Sequence, residues 1–138
     1  MGKILGLDIG SKRVGVAISD ELAFLAHPLK TIPWKGYKLF AREIENLINE
    51  HSITRIVVGV PYTLEGNVSQ KTGEILRLIE KLRRRFTTIP IIEIDESLST
   101  KRAHDVLHRV GKKPSKKRQQ IDQIAAVFIL QDYLDSIR

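Results

Sequence analysis

The sequence predicts an α/β protein built on a mixed five-stranded sheet with helices on both faces. Two apolar segments near its start are separated by Gly10-Ser11, which indicates an antiparallel strand pair. A continuous β-branched run at residues 55–60 is typical of a central parallel strand buried on both faces. Strand and helix patterns then alternate, which favours right-handed parallel crossovers with helices on both sheet faces. The chain has 138 residues, of which 42% are hydrophobic, so we expect a single domain, residues 1–138.

Five segments carry strand patterns and four carry helical patterns. The strands are predicted at Lys3–Ile9, 14–19, 27–32, 55–60 and 89–94, and the first three are expected to be antiparallel. The helices are predicted at Tyr37–His51, 72–86, 100–110 and 119–137. Residues 112–118 read as a flexible basic loop interrupted by Pro114. The middle of the last helix is apolar nearly all round, which predicts deep burial.

Positive charge is concentrated in one part of the chain. The net charge is +7, and residues 101–118 hold eight basic residues against the single acid Asp105, while the remainder carries fifteen of each sign. Such a cluster is the electrostatic footprint of a nucleic-acid partner, with a solvated basic loop as the alternative. The proposed contacts are Lys101, Arg102, Arg109, Lys112, Lys113, Lys116, Lys117 and Arg118. Lys12 and Arg13 in the first turn are candidate phosphate contacts or a solvated hairpin tip.

Other classes of protein fit the composition poorly. An anionic membrane surface is a weaker candidate partner, because the basic segment lacks the aromatic and leucine face of an interfacial helix. No apolar run is long enough to span a bilayer and no secretory signal is recognisable, so a cytoplasmic location is expected. The chain has no cysteine, which excludes disulfides and thiolate zinc sites.

Three acidic residues occupy comparable places in this layout. Asp8 ends the first strand, Glu96 follows the fifth strand directly after Asp95, and Asp122 opens the final helix. If the first strand is central, its tip could be adjacent to that of the fifth strand, and the last helix could lay its first turn across both. Each acid also has a structural explanation: an Asx turn for Asp8, a surface loop for Glu96 and a charge at a helix N-terminus for Asp122.

Clustered carboxylates suggest metal chemistry. They repel one another unless a cation lies between them, and Mg²⁺ or Mn²⁺ prefers such oxygen ligands. One or two such ions could activate water for phosphodiester cleavage. The acids would then cut a polyanion that the basic segment holds.

Four motifs, in order along nearly the whole chain, resemble those of the YqgF family. They are Gly6-Leu7-Asp8-Ile9-Gly10-Ser11-Lys12-Arg13-Val14-Gly15-Val16-Ala17, then Val57-Val58-Gly59-Val60-Pro61 with Glu65-Gly66, then Asp95-Glu96-Ser97-Leu98-Ser99-Thr100, and Asp122-Gln123-Ile124-Ala125-Ala126 with Ile129-Leu130-Gln131. The resemblance implies an RNase H-like fold, shared with the RuvC-type Holliday junction resolvases. It also implies a nuclease that trims the 5′ end of pre-16S rRNA, with Asp8, Glu96 and Asp122 as catalytic and metal-binding residues.

The chain departs from the related patterns at two positions. Ser97 stands where the family usually has an arginine, which removes a potential phosphate contact. Ala125 stands where RuvC-type resolvases carry a further carboxylate, for which Asp95 is a possible substitute.

Several alternatives remain open from the sequence. The protein could be a dimeric Holliday junction resolvase acting on four-way DNA junctions, or a non-catalytic RNA- or ribosome-binding module, and both monomer and homodimer are possible. A sugar-kinase or actin-like ATPase is set aside, because 138 residues supply only one of its two domains. Trp34 and Tyr37 could stack bases or pack under the first helix. His104 and His108 share a helix face, but without a third ligand a zinc site is not expected.

Overall fold

The chain folds around one five-stranded mixed sheet. The computed structural model describes residues 2–62, 69–96 and 114–138, and for residues 114–120 it describes the backbone alone. The strands are β1 (Lys3–Ile9), β2 (Arg13–Ser19), β3 (Ala26–Pro33), β4 (Ile53–Val60) and β5 (Ile91–Asp95), in the order β3-β2-β1-β4-β5. The β1–β2 and β2–β3 pairs are antiparallel, whereas β1–β4 and β4–β5 are parallel. The predicted mixed sheet and the central place of β1 are therefore confirmed.

Three helices are described. They are α1 (Tyr37–His51), α2 (Gln70–Arg85) and α3 (Pro114–Ser136). The prediction that residues 112–118 form a loop was wrong from residue 114 onward, because α3 begins at Pro114. Proline is favoured in the first turn of a helix, where its missing N–H leaves no intrahelical bond unmade. The helix predicted at 100–110 lies outside the described residues.

The two faces of the sheet are covered differently. Side chains alternate between the faces along each strand, and one set packs with α1 and α2 in a cluster that includes Leu5, Leu7, Val16, Ile56, Val58, Phe40, Ile44 and Ile79. The opposite set packs with α3 in a second cluster that includes Ile4, Ala17, Val57, Ala126, Ile129 and Leu130. Helices thus cover both faces, as predicted, and α3 is the described helix of the second face.

Glycines on the second face let α3 approach the strand backbones. A Cβ added at Gly6 would lie 2.7 Å from the Cβ of Leu130, and one added at Gly15 would overlap the Asp122 backbone. Any larger side chain at these positions would push the helix away. The contact with Gly15 therefore sets how Asp122 lies over β2.

No helix in the described ranges is both long and apolar enough to cross a membrane.

Candidate active site

Asp8 and Asp122 are brought together by the register of the first hairpin. Asp8 of β1 pairs with Gly15 of β2. The backbone of Asp122 lies against Gly15, where an added Cβ would be 2.9 Å from the Cβ of Asp122. Asp122 is therefore a neighbour of Asp8, and its negative charge contributes to a raised pKa at Asp8.

Glu96 reaches Asp8 from the far side of β4. The predicted adjacency of β1 and β5 was wrong, because β4 lies between them. The Glu96 backbone N–H donates to the carbonyl of Val60 at the end of β4 (3.2 Å). Gly59 offers no side chain in between, and a Cβ there would lie 3.1 Å from the Cβ of Glu96. The Glu96 side chain therefore passes over Gly59 and hydrogen-bonds to that of Asp8.

The Asp8–Glu96 pair shares a proton. Burial, followed by the negative charge of Asp8 and the hydrogen bond to it, raises the pKa of Glu96 to about 9. Burial likewise raises the pKa of Asp8, while the hydrogen bond from Glu96 lowers it and the charge of Asp122 raises it. Glu96 is thus a neutral acid near neutral pH and donates the hydrogen bond that Asp8 accepts.

Glu96 leaves one oxygen without a protein partner. The residue is 6% exposed, and within the described ranges its Oε2 is a buried oxygen with no hydrogen bond. An unpaired buried acceptor is energetically unfavourable, and a hard divalent cation is a natural partner for it. The donor set therefore suits Mg²⁺ or Mn²⁺.

Asp122 is held by a salt bridge. Arg13 donates from Nε to Oδ2 of Asp122 at 2.7 Å, and both side chains are partly buried. Asp122 does not open α3 but lies about two turns inside it. The alternative explanation of Asp122, as an acid stabilised by the N-terminus of the helix, is therefore wrong. Across the described segments, no three acidic or histidine side chains are already arranged as a metal cluster.

Lys71 is a cation at this site that the sequence patterns did not reveal. It lies in the first turn of α2, and its positive charge lowers the pKa of both Asp8 and Glu96, opposing the larger effect of burial. The predicted helix start at residue 72 left Lys71 in the preceding loop. The available signal was Ser69, whose hydroxyl caps the helix by accepting from the Thr72 N–H at 3.1 Å. Thr72 in turn donates to the carbonyl of Pro61, which ties α2 to the end of β4.

The remaining predicted residues are divided between described and undescribed parts of the chain. Lys12 is exposed in the β1–β2 turn, and Asp95 is an exposed residue whose charge adds to the raised pKa of Glu96. Ala125 is fully buried, so the position of the resolvase carboxylate belongs to the core in this chain. Outside the description fall residues 101–113 and Ser97, together with the side chains of Lys116, Lys117 and Arg118.

The chain is similar throughout its length to one sequence family. The family profile described as RuvX, Holliday junction resolvase, matches residues 2–136. A relative from Acetivibrio thermocellus with the name "Putative pre-16S rRNA nuclease" is 38% identical over 135 residues, covering 97% of this chain and 96% of that protein. A relative of the same name from Chloroflexus aggregans is 42% identical over 135 residues, covering 98% and 94%.

Solved structures show the same fold. The RuvC protein of Thermus thermophilus, solved in complex with a Holliday junction substrate, matches with a TM-score of 0.60 at 12% identity, covering 99% of this chain and 96% of that one. The fowlpox virus resolvase, solved with Holliday junction DNA, matches with a TM-score of 0.58 at 16% identity, covering 98% of each chain. At these identities the likeness concerns the fold, which is RNase H-like.

Proposed function

Because the chain belongs to the RuvX (YqgF) family of nucleases, hydrolases that act on phosphodiester bonds, we propose that it is a metal-dependent nuclease processing the 5′ end of precursor 16S rRNA. The pre-16S rRNA nuclease name of the full-length relatives supports the choice of RNA. The proposal includes a single nuclease domain acting in the bacterial cytoplasm, where ribosomes are assembled.

The observation that carries the proposal is the close approach of Asp8 and Glu96, two buried carboxyl groups joined by a hydrogen bond. Two carboxyl groups are held together by the fold, and one of them has a buried oxygen with no hydrogen-bond partner among the described residues. Ionisation of both groups is disfavoured unless a cation replaces the proton between them. In our assignment Asp8, Glu96 and Asp122 are the catalytic acids and hold one or two Mg²⁺ or Mn²⁺ ions. When bound, such ions polarise a phosphodiester and lower the pKa of water that attacks it.

The other residues of the site have supporting roles in this proposal. Arg13 keeps Asp122 oriented through its salt bridge. Lys71, whose charge acts on both buried carboxyl groups, is suited to attract the phosphate of the substrate. Lys12 and the basic residues of 101–118 would bind the RNA backbone.

Replacing Asp8 tests the nuclease proposal. Asp8→Asn keeps the size of the side chain but removes a charged ligand, so we expect cleavage of a precursor 16S rRNA fragment in Mg²⁺ to fall at least about 1,000-fold. Circular dichroism and thermal melting should show an intact fold. Asp135→Asn, at an exposed position near the end of α3, is the matched control and should cleave like the wild type.

Two results would contradict the nuclease proposal. One is full activity of Asp8→Asn. The other is RNA binding that persists in EDTA while no divalent metal supports turnover, as a non-catalytic ribosome-binding module would behave.

The family description favours Holliday junction cleavage as the second candidate. Symmetric cutting of a four-way junction requires two active sites, so this activity predicts a dimer. Competition between an immobile four-way DNA junction and precursor rRNA, combined with light scattering, separates the two. A monomer that ignores the junction and cuts the RNA supports the rRNA activity.

A further inference from the structure

A cavity of about 420 Å³ lies on the α1 and α2 side of β1, next to the β1–β2 turn. Its walls come from the β1–β2 turn, the start of α1 and the first three turns of α2. Apolar side chains of β1 and α2 form part of the lining, and the side chains that matter below are Trp34, Tyr37, Lys71, Arg77 and Lys81. A volume of this size falls within the usual range for small-ligand pockets, about 300–1,000 Å³.

Two aromatic side chains in the cavity wall are held in place. Trp34 packs against the Phe40 ring with centroids 5.2 Å apart, and its backbone N–H donates to the carbonyl of Lys12 at 2.9 Å. The Tyr37 hydroxyl donates to the carbonyl of Lys81 at 3.3 Å, and the ammonium of Lys81 lies 5.2 Å from the Tyr37 ring. Both aromatic residues are partly buried against the core. They therefore pack against the core, as one of the two alternatives predicted, while also lining the cavity.

The cavity is positively charged. Among the described residues, Lys71, Arg77 and Lys81 line the cavity, together with one carboxylate, Glu74. Lys71 is also the cation that acts on Asp8 and Glu96, so the cavity and the acid pair share a residue. An anionic group bound near Lys71 would thus share this cation with the acids.

Flat apolar surface next to fixed positive charge is the chemistry that recognises a nucleotide. We propose that this cavity binds one unpaired nucleotide of the substrate strand next to the scissile phosphate, with its base against Trp34 and its phosphate toward Lys71. This inference rests on the proposed nuclease function and adds to it a selection for single-stranded flanks. A base in a duplex is stacked and paired, and it would have to leave the helix to enter.

The only tryptophan of the chain provides the readout. Trp34 lines the cavity, so a stacked base should quench its fluorescence. Titration is done in EDTA, where no cleavage interferes, with a single-stranded oligoribonucleotide, the same strand with one abasic residue moved stepwise along it, a blunt duplex, and free AMP or UMP. We expect quenching by the intact strand and a loss of affinity of about tenfold when one particular base is missing.

Charge reversal on one helix supplies a matched pair of variants. Arg77→Glu changes a residue of the cavity wall, and Arg84→Glu makes the same change at an exposed arginine seven residues further along α2. We expect Arg77→Glu to weaken the quenching titration by about tenfold or more, and Arg84→Glu by no more than about threefold, since the latter has only the general electrostatic effect. Thermal melting of both variants verifies that they fold.

Every outcome of these titrations either supports or contradicts the proposed nucleotide site. Equal binding of all abasic strands, equal effects of the two arginine variants, a duplex that binds as well as the single strand, or quenching by free mononucleotides alone would each overturn the inference. Cleavage without quenching would overturn it while leaving the nuclease proposal intact. Base-dependent quenching without turnover in Mg²⁺ or Mn²⁺ would support the nucleotide site and contradict the nuclease.

Discussion

At the scale of single residues, the buried carboxyl group of Glu96 serves the proposed function but reduces the stability of the folded protein. Its carboxyl group is buried by its contacts with Asp8 and the end of β4, and its pKa is raised to about 9 from an ordinary value of 4.5. An acid with a raised pKa in the folded state binds its proton more tightly there than in the unfolded chain. The folded protein consequently loses stability as the pH rises from the ordinary pKa toward the raised one. The raised pKa of Asp8 acts in the same direction.

The upward direction of these pKa shifts determines how the free energy of unfolding depends on pH. In EDTA, we expect the free energy of unfolding of the wild type to fall between about pH 5 and 8, with a slope of up to about 1.4 kcal/mol per pH unit from Glu96. Glu96→Gln keeps a hydrogen-bond donor for Asp8 but needs no proton, so this contribution should disappear and the variant should be more stable than the wild type at pH 8. Urea denaturation across the pH range measures both effects.

Glu50→Gln, at an exposed position of α1, serves as the control and should keep the wild-type slope. If the wild type and Glu96→Gln lose stability in parallel over this range, Glu96 does not hold its proton in the folded state. Glu96→Gln should also lack nuclease activity, because it removes a carboxylate that we assign as a metal ligand.

At the scale of elements, the arrangement of the acids depends on glycines in the strands under α3. Asp122 lies on Gly15, and Glu96 crosses Gly59 to reach Asp8. These glycines bring three acids from β1, the end of β5 and α3 into range of one another, although β4 separates the two strands. The packing that buries α3 and the geometry of the acids are thus produced by the same contacts.

A methyl group at position 59 should disturb the Asp8–Glu96 pair. Gly59→Ala places a Cβ 3.1 Å from the Cβ of Glu96 and against the side chain of Ile129, and we expect it to destabilise the fold by about 1–3 kcal/mol. Displacement of Glu96 should also lower kcat. Guanidinium denaturation and cleavage kinetics measure the two effects.

The matched control lies on α2. Among the described residues, a Cβ at Gly73 would meet only the Nη1 of Arg77, at 3.5 Å. Gly73→Ala should therefore fit and should stabilise the helix by about 0.5–1 kcal/mol. Wild-type stability and activity in Gly59→Ala would show that the close contact at β4 is not needed.

Local sequence patterns predicted the helices and strands well, but they predicted less well which strands are neighbours in the sheet. β1 and α1 have the predicted bounds, because apolar spacing and turn residues are local signals. The insertion of β4 between β1 and β5 has no local signal, since strand order is decided by which faces the crossovers bury. The start of α3 at Pro114 was missed because proline was taken as a loop residue, although it is also favoured in a first helical turn.

At the scale of the whole molecule, the excess positive charge lies in one stretch of the sequence, and the three acids that we assign to catalysis lie outside that stretch. Residues 101–118 carry the whole excess of +7, whereas the described site contains acids offset by Arg13 and Lys71. That Asp8, Glu96 and Asp122 lie together was predictable from strand ends and from the family motifs. The proton shared by two of them was not, because it depends on burial and on the empty position at Gly59. Their catalytic roles stay a prediction.

Salt dependence tests the role of the basic segment. RNA affinity should fall with salt, and replacing Lys112, Lys116 and Lys117 by alanine should reduce the slope of log K against log [salt] by about 2, since each phosphate contact on a single strand contributes about 0.7. Filter binding at several salt concentrations gives both slopes. The exposed set Lys35, Lys38 and Arg42 on and before α1 provides a control triple alanine variant, whose slope should stay close to that of the wild type. Equal slopes for all three proteins would place the RNA elsewhere.

The contact between Arg13 and Asp122 joins positions 109 residues apart. This separation has a consequence for the protein during its synthesis. Synthesis delivers Asp8 early, but by our assignment no complete set of acids exists until α3 has left the ribosome and docked on the sheet. By the same assignment, a nascent chain would lack a complete set of acids. Competence for cleavage would begin only once the late-made helix is in place.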